Sequence, residues 1–154
     1  MGSAAAGPSA GVSKGASDLG WLLSNFARKT VGVQEAITVS ADGFLLACSG
    51  SREQHGIEQF AAIVSGLTSL TNGASSIYGT GEVRQVIVEA DRGYFFVMSI
   101  DDGSTIGVLA ADNCDVGLVG YELALLIDRV GSVLTPALID ELKNTFSAQY
   151  APRH

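Results

Sequence analysis

Cys48 and His55 stand near one loop, and a thiol with an imidazole close by is the pairing from which a nucleophile and its base are made. No carboxylate is assigned to orient that pair, and a small buried cysteine beside a solvent-facing histidine accounts for the same two residues. Asp91, Asp101 and Asp102 offer a second chemistry, calcium ligation or paired acid and base catalysis. All three fall in Asp-Gly type turns, Asp91-Arg92-Gly93 and Asp101-Asp102-Gly103, where turn geometry alone explains them. The 19 glycines raise a third, phosphate binding. Neither GTGEVRQ nor SGSREQHG contains the GxxxxGK(S/T) pattern, and no glycine-rich stretch between a strand and a helix carries the lysine and hydroxyl that phosphate and magnesium require. Arg84 and Arg92 read as solvated surface residues rather than arginine fingers. The expectation is a chain with no catalytic residue, no cofactor and no metal.

Composition narrows the partners. The 154 residues fit one domain, and 47% of them are hydrophobic, enough for a real core. Lys and Arg total 9 against 16 Asp and Glu, a net charge of -7, which repels a phosphate backbone and excludes nucleic acid as a partner. Cys48 and Cys114 lie far apart with no CxxC and no histidine cluster, so neither a disulfide framework nor a zinc site is expected, and a reduced, cytoplasmic setting fits. No stretch approaches the length of a membrane span. Residues 1–16 read as a disordered tail, 17–131 as the folded domain and 132–154 as an extension with a short helix.

The elements follow from periodicity. Ser17 is placed to cap a helix carrying Leu19, Leu22, Leu23 and Phe26 at helical spacing, with Trp21 anchoring one edge and Gly32 ending the segment. VQEAITVS alternates Val33, Glu35, Ile37 and Val39 against Gln34, Ala36, Thr38 and Ser40, and its Asp-Gly turn leads into FLLACSG as a hairpin. A second helix is expected from about Glu53 to about Ala74, its apolar arc covering nearly half the circumference. Three strands then follow, Val83 to Ala90, Tyr94 to Ile100 and Thr105 to Ala110, joined by turns too short for parallel crossovers. Both faces of the middle strand are apolar, so helices are expected on both sides. A third helix, capped within Asp112–Asp115, closes at Gly131, and Thr135-Pro136 opens a last helix that packs on the body.

An arc wider than one sheet requires, together with a strand that follows a helix rather than a hairpin, predicts association. An unpartnered edge invites another chain, and a twofold contact is self-complementary. The predicted interface comprises Ile57, Phe60, Ala61, Val64, Leu67, Thr68 and Thr71 of the helix with Val83, Arg84, Gln85, Val86, Ile87 and Val88 of the strand.

LGWLLSNFARKTVGVQEAITVSADGFLLACS, GEVRQVIVEADRGYFFVMSIDDGSTIGVLA and CDVGLVGYELALLIDRV, taken as an ordered set from Asp18 to about Gly131, resemble the Roadblock family of dynein light chain and bacterial GTPase-regulating proteins, in its actinobacterial branch. The resemblance implies an α+β fold, order αββαβββα, with a five-stranded antiparallel sheet, one helix on one face and two on the other. It implies a homodimer through the middle helix and the third strand, a small Ras-like GTPase as partner, and a sensor-kinase-like protein in the same system. No catalytic residue is carried over. Recruitment to the inner face of the membrane would then run through a partner. Two alternatives stand beside this: a profilin-like domain sensing a small ligand, and a scaffold with no effect on nucleotide turnover.

Overall fold

The computed structural model describes residues 13–50 and 56–149, side chains of 146–149 excepted. The chain opens with helix α1, Lys14–Lys29. Its cap is Ser13, whose hydroxyl oxygen accepts the Ala16 N–H at 3.1 Å, and not Ser17, whose own N–H already bonds to the Ser13 carbonyl. Lys14 to Ala16, expected in the tail, are therefore helical. Trp21 is 58% exposed and anchors nothing; Leu19, Leu23 and Phe26 carry the buried face.

Strands β1, Val33–Val39, and β2, Leu45–Cys48, form the expected hairpin. Its alternation is not the simple one expected. A register shift between Val33 and Glu35 moves Val33 to the sheet face opposite Ile37 and Val39, as a bulge must. Glu35, Ala36, Ile37, Thr38 and Val39 are all buried, so both faces of β1 are covered.

Helix α2 spans Ile57–Tyr78 and is closed by Gly79 in the left-handed conformation. It runs past the expected end at Ala74, while the expected start near Glu53 lies outside the described residues. Strands β3, Gln85–Ala90, β4, Gly93–Ser99, and β5, Thr105–Ala111, make the antiparallel meander. The sheet order is β2-β1-β5-β4-β3, leaving β2 and β3 at the edges. Helix α3, Val116–Val133, is capped by Asp115, whose carboxylate accepts the Leu118 N–H. It continues through Gly131 because Val130 and Leu134 are still packing into the core. Helix α4, Pro136–Gln149, starts as expected at Thr135, whose hydroxyl oxygen accepts the Leu138 N–H.

The sheet divides two apolar layers. On one side α1, α3 and α4 bury Leu19, Leu23, Phe26, Val119, Leu123, Leu138 and Leu142 against Ala36, Leu46, Phe96, Ile106 and Val108. On the other, α2 alone buries Ile57, Ala61 and Val64 against Ile37, Val39, Leu45, Cys48 and Val97. The last helix thus docks on the body of its own chain, as expected. Lys143 reaches Asp42 at 2.9 Å and lies 5.4 Å from the centre of the Phe44 ring. Asp42 also accepts the Ser40 hydroxyl at 2.6 Å, and Ser40 accepts the Phe44 N–H at 2.9 Å, so α4 closes onto an already bonded turn.

The seat of α2 depends on Gly107 in β5. A Cβ there would stand 2.5 Å from Val64 Cγ2 and 3.4 Å from the Phe60 ring. Gly107→Ala is therefore expected to lift α2 from the sheet and to cost about 1–3 kcal/mol, as overpacking does, measured by chemical denaturation. The Asp42 contact makes a second test. The Ser40 hydroxyl, then Lys143, lower the Asp42 pKa from its ordinary 3.8. Its stabilisation is present above that value and fades as pH falls through the lower folded one. The melting-temperature gap between wild type and Asp42→Asn should hold at neutral pH and shrink below about pH 4.

Candidate functional site

The outermost strand, β3, has one bonded side and one open side. Ser99 donates its N–H to the Arg84 carbonyl at 3.0 Å, which makes Arg84 and Ser99 a bonded pair, and the antiparallel alternation then turns the backbone groups of Gln85, Ile87 and Glu89 outward. Ile87 is 41% exposed, and the charged residues along the strand are Arg84 before it and Glu89 within it. Val83 is tied down just upstream, donating its N–H to Asn72 of α2 and accepting the Ser99 hydroxyl.

Helix α2 brings a second unsatisfied surface to the same side. Ile63, Leu70 and Ile77 are 55%, 75% and 77% exposed, and their spacing of seven residues returns them to nearly one line along the helix. Gly66 and Gly73 flank that line with open space where a Cβ would be, and Tyr78, at the end of the helix, is 78% exposed. The result is an apolar seam interrupted by flat places where another backbone can come close. The helix packs chiefly over β1, β5 and β2, and Val86 and Val88 at the β3 end of the face are only half-buried.

Within the protomer, the α2 residues of the expected interface differ in exposure. Ile57, Ala61 and Val64 are 4%, 3% and 0% exposed, because the gap at Gly107 lets the helix settle onto the sheet with these side chains underneath. Phe60 and Leu67 sit half-buried at the flank, Phe60 tilted against Phe95 with ring centres 6.0 Å apart. Thr68 and Thr71 also lie on the flank, donating their hydroxyls to the carbonyls of Val64 and Leu67. Ile63, Leu70 and Ile77 take the outward place. Their seven-residue spacing was the available signal, hidden because all the apolar residues of the helix merge into one broad arc. Of the strand residues, Arg84, Gln85 and Ile87 are exposed, and Val83, Val86 and Val88 are half-buried.

Among the described residues, those that suggested reaction chemistry are not gathered. Cys48 is buried and donates its thiol to the Gly50 carbonyl, while His55 lies outside the described residues. Asp91, Asp101 and Asp102 are exposed at the turns, Asp102 accepting the Ser104 N–H at 2.8 Å. Arg92 is exposed in the β3–β4 turn. Among the described residues no group of three His, Cys, Asp or Glu could hold a metal ion, and no helix is long and apolar enough to cross a membrane.

A buried carboxylate with three donors on one oxygen was not foreseen. Glu35, 3% exposed, accepts the N–H and hydroxyl of Ser49 at 3.0 and 2.6 Å and the N–H of Gly50 at 3.1 Å, and Ser24 donates to the Ser49 carbonyl. These bonds fix the end of β2 to α1 and β1. They are structural: all three donors come from the end of β2 and converge on one oxygen, Oε2.

The Roadblock/LC7 domain model matches residues 19–110, from the first turns of α1 through β5. No curated protein is similar enough to count as a match. Among solved structures, the Roadblock/LC7 domain from Streptomyces avermitilis is 35% identical, with a TM-score of 0.69 over 73% of this chain and 94% of that one. The gliding protein MglB from Thermus thermophilus is 14% identical, with a TM-score of 0.71 over 79% of this chain and 91% of that one. An MglB recorded with a tetrameric arrangement is 13% identical, with a TM-score of 0.72 over 79% and 90% of the two chains. At those identities the two MglB structures speak to the fold. With a matching domain model over most of its described length and a Streptomyces domain at this identity, the chain belongs to the Roadblock/LC7 domain family.

Proposed function

We propose that this protein works as a non-enzymatic homodimer that binds a small Ras-like GTPase and adjusts its nucleotide cycle, within a signalling system that includes a sensor-kinase-like protein. The observation that carries the reading is the meeting, on one side of the molecule, of an exposed helix seam, a half-covered sheet face and an unpaired strand edge. A twofold partner satisfies all three at once. Its β3 pairs with β3 to continue the sheet, and its α2 crosses the seam at Gly66 and Gly73 and caps Val86 and Val88. Membership of the Roadblock/LC7 family supports both the mode of assembly and the class of partner.

Two substitutions separate self-association from folding. Leu70→Lys changes a residue 75% exposed in the protomer, so folding stability should move by less than about 0.5 kcal/mol, while the dimer should weaken by roughly thirtyfold or more, as for a central apolar anchor. Gln85→Pro removes an outward-facing donor of β3 and should likewise give a folded monomer. Light scattering with circular dichroism reads both, and a folded variant that stays dimeric in either case removes the corresponding half of the interface. For the partner, the protein is mixed with the small GTPase encoded beside it, and nucleotide release and hydrolysis are followed. A change of roughly tenfold in either rate, about 1.4 kcal/mol of barrier, is expected. Binding without a rate change would make the protein a scaffold, and absence of both would end the GTPase reading.

A further inference from the structure

The turn joining β1 to β2 is gripped from two sides. Above it, Lys143 of α4 holds the Asp42 carboxylate and covers the Phe44 ring. Below it, Gly43 comes so close to α2 that a Cβ on it would lie 3.2 Å from the Ser65 hydroxyl, and its φ of +92° is one that other residues rarely adopt. Between the two grips the turn is stiffened by the Ser40–Asp42 and Ser40–Phe44 hydrogen bonds, and by Gly43 donating its N–H to the Ser40 carbonyl. A displacement of α4 therefore has a short route to the helix that carries the seam, bonded as far as the turn and continued by the close approach of Gly43 to Ser65.

The hold of α4 combines two buried anchors with one unpartnered acceptor. Leu138 and Leu142 are its fully buried anchors, Leu138 sitting against Gly15 of α1 where any Cβ would come within 3.2 Å. Against them, one buried oxygen of the Glu141 carboxylate has no hydrogen-bond partner among the described residues, and an unsatisfied buried acceptor weakens the packing that surrounds it. The helix follows α3 after only Leu134 and Thr135, and it lies outside the segment matched by the family model.

We propose that α4 is a releasable latch: docked, it clamps the β1–β2 turn onto α2 and holds the seam in its binding form, and released, it loosens the turn, α2 and self-association together. The last of these effects rests on the reading of α2 as the dimer face; the clamp does not.

The test uses the full chain carrying Lys143→Glu, which sets like charge against Asp42, and Leu138→Ser, which removes an anchor; Glu141→Leu serves as the opposite case, since it removes the unpartnered oxygen. Backbone amide exchange and the dimer dissociation constant are measured for each. Expected are faster exchange in α4, in Ser40–Phe44 and in the turn of α2 around Ser65 for the first two variants, with a dimer roughly fivefold weaker, and slower exchange in all three places for Glu141→Leu. Faster exchange confined to α4 would overturn the latch. Should the wild type prove monomeric while exchange still spreads from α4 to Ser65, the clamp would stand and the dimer reading would fall. If Leu138→Ser unfolds the chain, Lys143→Glu decides alone, because Lys143 and Asp42 pair at the surface.

Discussion

One helix is too narrow for a five-stranded sheet. Four inter-strand gaps of about 4.8 Å make the sheet roughly 19 Å wide, whereas a helix with its side chains is about 10 Å across. On one face the chain meets this requirement with α1, α3 and α4, which share the work of burying Leu46, Phe96, Ile106 and Val108. On the other face it supplies α2 alone. That helix is drawn over β2, β1 and β5 by the absence of a side chain at Gly107, and the β3 end of the sheet is left half-covered. The unmet width is what leaves the α2 and β3 side of the molecule open.

The same shortage explains which parts of the structure were legible in the sequence. Element types follow from local patterns that need no knowledge of neighbours: the Asp-Gly turns, the helical spacing of Leu19, Leu23 and Phe26, and the Thr135-Pro136 start of α4. The edge position of β3 was legible too, because a strand entered from a helix and left through a tight turn has one certain partner. The facing of α2 was not. Ile57, Ala61 and Val64 look as apolar as Ile63, Leu70 and Ile77, and only the position of Gly107 across the sheet decides which set is driven under. Caps were missed for a related reason. Ser13 and Ser17 are equally good capping residues, and the packing of Leu138 against Gly15 favours the longer helix.

Long-range polar contacts were the least legible. Glu35 was expected on the same face of β1 as Val33, Ile37 and Val39. A bulge beside it instead aims the carboxylate at three donors on Ser49 and Gly50, a match set by register and not by any spacing in the strand itself. Lys143 and Asp42 are 101 residues apart, and nothing local to either announces the other. Both contacts act on the ends of β2, one through Ser49 and one through Asp42, so the short edge strand opposite β3 is held by polar pins at each end. That edge is thereby closed to change while the β3 edge stays open.

An open edge is ordinarily a hazard, since any exposed strand can continue it. In the proposed dimer, what restricts β3 to a specific partner is its brevity and its setting. The strand is six residues long, with the charge of Arg84 at its approach and that of Glu89 near its far end. The helix seam adds a second condition. A chain that pairs with β3 must also bring an apolar surface able to lie against Ile63, Leu70 and Ile77 and to approach at Gly66 and Gly73, and a second copy of this protein brings both. Specificity in the proposed dimer thus arises from requiring a ladder and a helix contact together, either of which alone is too small to hold a partner.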